Sequence, residues 1–129
     1  MLKPNKREDF KRSLLFSFYL KNGGKRFMKL IAKLSDMIED EIEDADKYIR
    51  CALNHKEDHP ALASTFYQIS TEELRHMNLL HDQVVSLINE YRKEHGDPPK
   101  EMQAIYDYLH EKHINRVNDI KVLQASYNK

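Results

Sequence analysis

Apolar side chains recur every three or four residues through three long stretches of this chain, the spacing of one buried face of an α-helix. The stretches cover about residues 25–54, 60–94 and 99–127, and two short segments containing Pro and Asp separate them. Only 3 Gly and 4 Pro occur in 129 residues, too few for the many turns of an all-β fold. Short loops place consecutive helices side by side. The sequence therefore predicts an all-α, antiparallel bundle of three long helices.

The first 27 residues differ in charge from the rest of the chain. They hold eight Lys or Arg and two acidic residues, a formal charge of +6, whereas residues 28–129 carry −6. We expect residues 28–129 to form the helical domain and 1–27 to be a solvated or loosely docked basic leader. Apolar residues between Phe10 and Tyr19 predict a short helix within it. Contact of this leader with nucleic acid, an anionic membrane or an acidic partner is a weaker alternative.

Membrane insertion and disulfide bonding both find little support in the sequence. No apolar run approaches the roughly 18 residues of a membrane span, and the run at residues 14–20 lacks the cleavage site of a signal peptide. The single cysteine, Cys51, cannot form a disulfide within the chain. These features favour a cytoplasmic protein.

One acidic residue interrupts the apolar stripe of the first helix. Glu41 falls in the middle of that stripe at helical spacing. Asp44 lies on its flank. The stripe consists of Phe27, Ile31, Leu34, Ile38, Ala45, Tyr48 and Ala52.

The second helix carries two polar residues in its stripe, Glu73 and His76, which are neighbours on one face at i, i+3. The stripe comprises Leu62, Phe66, Ile69, Leu80, Val84, Leu87 and Tyr91. A further apolar set on the side of this second helix predicts that the helix is central in the bundle or shared with another subunit. In the loop before it, Asp58 is expected to cap the helix, and His55 and His59 to be solvated, with a surface zinc or copper site as the alternative.

Antiparallel packing brings the three polar residues to one level. Glu41 lies 16 residues before the loop centre at Glu57, and Glu73 and His76 lie 16 and 19 residues after it. Buried carboxylates are costly unless they are paired or bind a metal. Oxygen and imidazole donors suit iron, manganese or zinc. The sequence therefore predicts a metal site, with a purely structural polar network as the alternative.

These residues resemble part of a known superfamily. Glu41, Ala45 and Tyr48 on one helix, with Glu73-Leu-Arg-His76 on the next, are similar to the first half of a ferritin-like, rubrerythrin-type bundle over about residues 28–91. The resemblance implies a di-iron carboxylate centre with ferroxidase, peroxide or metal-handling activity. Tyr48 lies two turns from Glu41 on the same face, so it is expected to hydrogen-bond a ligand carboxylate, with a core aromatic role as the alternative. Manganese or zinc is the alternative metal. The single cysteine excludes a complete rubrerythrin with its rubredoxin-type iron.

The third helix departs from the ferritin-like pattern because it has no Glu-x-x-His. Its His110 and His113, with Asp44, are second-line metal candidates, and we expect a core or hydrogen-bonding role for the two histidines. As in encapsulated ferritins, to which the half-site is similar, a homodimer or higher oligomer would supply the missing ligands. The alternative function is a non-catalytic ferritin-like scaffold or adaptor for protein–protein assembly.

Overall fold

The computed structural model describes residues 25–129, with side chains from Phe27 onwards, and these residues form three α-helices. Helix α1 covers Lys25–His55, α2 covers Pro60–His95 and α3 covers Lys100–Tyr127. The three predicted helices are confirmed to within one residue at each end, and the described residues contain no strand. The predicted helix and arm of the basic leader lie outside the described residues.

The helices form a bundle in which α1 is central. Helix α1 packs closely along α2 and also against α3, whereas the backbones of α2 and α3 are less closely packed. Of the two expectations for the second helix, a central position does not hold among the described residues, and sharing with another subunit stays a prediction. The fully buried side chains of α1 explain its position, because Ile42, Ala45, Ile49 and Ala52 have no solvent exposure.

Side-chain pairs between α1 and α2 run in opposite sequence order. Phe27 packs edge-on against Tyr91, with ring centroids 5.9 Å apart. At the other end of the pair, Tyr48 stacks on Phe66 at 6.0 Å. Between them, the hydroxyl of Ser70 donates a hydrogen bond of 2.7 Å to the carbonyl of Ala45. Residues equally distant from the first loop therefore share a level.

Side-chain pairs between α2 and α3 also run in opposite sequence order. Nε2 of His81 lies 3.1 Å from Nδ1 of His110. The amide of Gln124 donates a hydrogen bond of 3.0 Å to the Ser70 hydroxyl. The ring of Tyr67 stacks on Tyr127 at 4.7 Å. No helix in this described part is both long enough and apolar enough to cross a membrane.

The buried face of α1 is rotated from the predicted stripe. Ile42 and Ile49, which the stripe omits, are fully buried, whereas Leu34, Glu41 and Tyr48 are only partly buried. On α2 the buried row is Ala63, Ser70, Leu74, Met77, Val84 and Tyr91. Leu62, predicted to face the core, is exposed. Glu41 therefore lies at the edge of the core rather than at its centre.

Candidate metal centre

Glu41, Glu73 and His76 come together across the seam between α1 and α2. The Nδ1 atom of His76 lies 3.6 Å from Oε2 of Glu41 and 3.8 Å from Oε2 of Glu73. One donor atom from each of the three side chains falls within 4.8 Å of the others. The convergence predicted from the loop spacing is present, because the helices pack with these residues at one level.

One oxygen of this cluster has no hydrogen-bond partner among the described residues. Oε2 of Glu41 is buried, and no hydrogen-bond donor in the described part of the chain satisfies it. A buried, unpaired carboxylate oxygen is destabilising because it has lost its water without replacing it. A cation or a proton at this point would remove that deficit.

The raised pKa of Glu73 also indicates that this cluster lacks positive charge. Hydrogen bonding with the Glu41 carboxylate, followed by burial and the negative charge of Glu41, raises the pKa of Glu73 from 4.5 to about 7. The charge of His76 opposes this shift, and that of Asp44 adds to it. Near neutral pH the Glu73 carboxyl is therefore partly protonated, and a divalent cation would replace that proton.

The donor spacing is compatible with a bound ion after small side-chain movements. First-row metals lie about 2.0–2.2 Å from oxygen and nitrogen ligands, which places adjacent ligands about 3 Å apart. The contacts of His76 at 3.6 and 3.8 Å exceed that spacing by less than 1 Å. The imidazole side chain is 46% exposed, so it has room to move.

The cluster lies on a face of the α1–α2 pair that α3 does not contact. At this level α1 contacts α3 through Glu39, whose Oε1 lies 3.3 Å from Nε2 of His113. Glu39 and Glu41 point about 160° apart on an ideal helix. At helical spacing on the same side of α1 as Glu41 are the partly buried Leu34, two turns before it, and the 40% exposed Met37, one turn before it.

Two of the second-line candidates, His110 and His113, pair outside this cluster, whereas Asp44 acts on Glu73 through its charge. His113 is buried and pairs with Glu39, and His110 stacks on His81, with ring centroids 4.7 Å apart. Burial, followed by the charge of His81, lowers the pKa of His110. Asp44 pairs with Lys47 at 3.8 Å on the surface. The two histidines thus have the core and hydrogen-bonding roles expected for them.

Tyr48 does not contact the ligand carboxylates as its position suggested. Its ring stacks on Phe66, and the Lys47 ammonium lies 4.9 Å from the ring centroid. No hydrogen bond joins Tyr48 to Glu41 or Glu73 among the described residues. Stacking at the α1–α2 seam explains the position of this side chain.

A second group of donors occurs in the first loop, where His55, Asp58 and His59 converge. The prediction that Asp58 caps α2 was wrong, because the cap position is His59 and no side chain makes a capping bond there. The Asp58 carboxylate pairs with the two imidazoles instead. Sequence reasoning identified the histidines but missed Asp58 as their partner, although the His-x-x-Asp-His spacing was available.

Comparison with protein-family models, curated proteins and solved structures gives no match for this chain.

Proposed function

We propose that the protein is a ferritin-like di-metal carboxylate protein whose centre is completed when two copies pair. The observation that carries this proposal is the convergence of Glu41, Glu73 and His76 around an unsatisfied buried oxygen. Three protein donors are too few for a two-metal centre. Two copies related by a two-fold axis would supply four carboxylates and two imidazoles, the ligand set of carboxylate-bridged di-iron bundles.

The opposite sequence order of the α1–α2 contacts supports an antiparallel, ferritin-like arrangement of this pair. In that arrangement the glutamate of one helix and the Glu-x-x-His of the next meet at mid-height. The partly exposed apolar surface around the cluster supports pairing, since Leu34, Met37 and Leu80 flank the donors and retain contact with solvent. A second copy would bury these side chains together with the donors.

The donor set favours iron, with manganese or zinc as alternatives, because carboxylate oxygens outnumber imidazole nitrogens. Iron would supply redox chemistry, each Fe(II) giving one electron to dioxygen or peroxide. The chain's own tasks are binding and proton release. Glu41, Glu73 and His76 would hold the ions, and the Glu73 carboxyl would release its proton on loading.

The oxidation of Fe(II) in air tests this activity. We expect tag-free wild-type protein to accelerate the loss of Fe(II) above the rate in buffer, and Glu73→Ala to abolish the acceleration. Glu72→Ala is the matched control, because Glu72 is the exposed neighbour of Glu73 outside the cluster. A wild-type rate equal to that of buffer would contradict a ferroxidase and leave metal handling or a helical scaffold for protein assembly.

A further inference from the structure

The loop between α1 and α2 brings together two imidazoles and one carboxylate. Nδ1 of His55 lies 3.2 Å from Oδ1 of Asp58, and Nδ1 of His59 lies 3.3 Å from Oδ2 of the same carboxylate. Donor atoms of all three residues fall within 4.8 Å of one another. The group is separate from Glu41, Glu73 and His76 and shares no residue with them.

These separations match those around a small tetrahedral ion. Zinc lies about 2.0–2.2 Å from histidine nitrogens and carboxylate oxygens, so tetrahedral ligands stand about 3.3 Å apart. The two histidine–carboxylate distances already have this value. Two nitrogens and one oxygen form a donor set that favours zinc or copper, in contrast to the oxygen-rich cluster at Glu41.

The local backbone holds the three side chains in place. The N–H of His59 donates to the carbonyl of His55 at 2.9 Å, and Pro60 follows as the first residue of α2. The ammonium of Lys56 donates to the carbonyl of Tyr127 at 2.6 Å, which ties the loop to the end of α3. A loop fixed at both ends loses little conformational freedom when it binds an ion.

The side chains are also available for binding. The His59 side chain makes no capping hydrogen bond to α2. The Asp58 side chain is 57% exposed, so its carboxylate oxygens are accessible to an ion.

We propose that His55, Asp58 and His59 form a zinc site, with water as the fourth ligand. The open fourth position follows from the surface location, since the three side chains are 42%, 57% and 66% exposed. Such exposure would make an ion pair alone contribute little to stability. Zinc binding gives the cluster a role that ion pairing does not.

The test measures zinc affinity by competition with a chromophoric chelator, on tag-free full-length Glu73→Ala protein that lacks an intact Glu41–Glu73–His76 cluster. We expect about one zinc ion per chain. Since loss of a supporting group already reduces metal affinity about 10- to 100-fold, His59→Ala and Asp58→Asn should weaken binding at least as much. His95→Ala and Glu57→Gln, which alter exposed residues outside the group, should leave affinity unchanged.

Helicity and the unfolding midpoint of each variant should stay at the parent values, because the replaced side chains are exposed. Absence of bound zinc in the Glu73→Ala parent would overturn the proposal. Equal zinc affinity in the parent, His59→Ala and Asp58→Asn would also overturn it, because the ion would then be bound elsewhere.

Discussion

The Nδ1 atom of His76 lies 3.6 Å from Oε2 of Glu41, a buried oxygen with no hydrogen-bond partner among the described residues. This distance is too long for a hydrogen bond, so neither atom satisfies the other. The Glu73 carboxylate adds a second negative charge to the same point. The two carboxylates repel each other once both are ionised, and a bound cation would offset that repulsion.

Removing the charge of Glu73 should stabilise the metal-free protein. Glu73→Gln eliminates repulsion with Glu41 and provides an amide donor for that carboxylate. At pH 8 in the presence of a chelator, we expect the free energy of unfolding in urea to rise by about 1–3 kcal/mol. Glu72→Gln, the exposed neighbour, should change it by less than about 0.5 kcal/mol. Destabilisation by Glu73→Gln would show that Glu73 is already satisfied without metal.

The stability of the metal-free protein should depend on pH through the same group. The folded-state pKa of Glu73 is about 7, above its usual value of 4.5, so between these values the folded state binds more protons than the unfolded state. The contribution of Glu73 to the free energy of unfolding is therefore fully present below about pH 4.5. It is lost as the pH rises to 7, and the loss is at most about 3 kcal/mol.

Other groups titrate in that window, including His110, whose lowered pKa acts in the opposite direction. The difference between wild type and Glu73→Gln isolates the contribution of Glu73. Urea unfolding of both proteins from pH 5 to pH 8 should show a steeper loss of stability in wild type. Parallel profiles would mean that Glu73 titrates normally.

Pairing of two copies should depend on the apolar surface beside the cluster. Met37 is 40% exposed and lies one turn from Glu41 on α1, so Met37→Glu should prevent dimerisation without unfolding the chain. Val122→Glu is the matched control, since Val122 is 68% exposed on α3. Light scattering should give a monomer for the first variant and a dimer for the second. A monomeric wild type would contradict pairing, and a dimer lost only in Val122→Glu would assign pairing to another surface.

The rotated core of α1 predicts a difference between two apolar positions. Ile49 has no solvent exposure, so Ile49→Ala should lower the free energy of unfolding by about 2–5 kcal/mol. Met37→Ala, at an exposed position of the same helix, should lower it by less than about 1 kcal/mol. Equal effects would contradict the burial of Ile49 between α1 and its neighbours.

The helices and the level of the cluster could be predicted because both depend on local signals. Pro60 and the segment from Gly96 to Pro99 mark the helix boundaries. A short loop then determines which residues face each other across α1 and α2, so Glu41 could be matched with Glu73 by counting.

The rotation of α1 could not be predicted from its apolar periodicity. A helix that packs against two neighbours has an apolar arc wider than one stripe, and Ile42 belongs to that arc as fully as Ala45. The Glu39 partner of His113 lies 74 residues away in sequence, so it depends on how α3 is placed against α1. Spacing along a single helix contains no information on that placement.

The most direct test of the central claim is the iron content of tag-free protein loaded with Fe(II) without oxygen, measured together with its mass in solution. We predict about one iron per chain in a dimer. Glu73→Ala and His76→Ala should lose the iron, and Glu72→Ala should retain it. A wild-type protein that takes up no iron, or both cluster variants retaining it in full, would contradict the account.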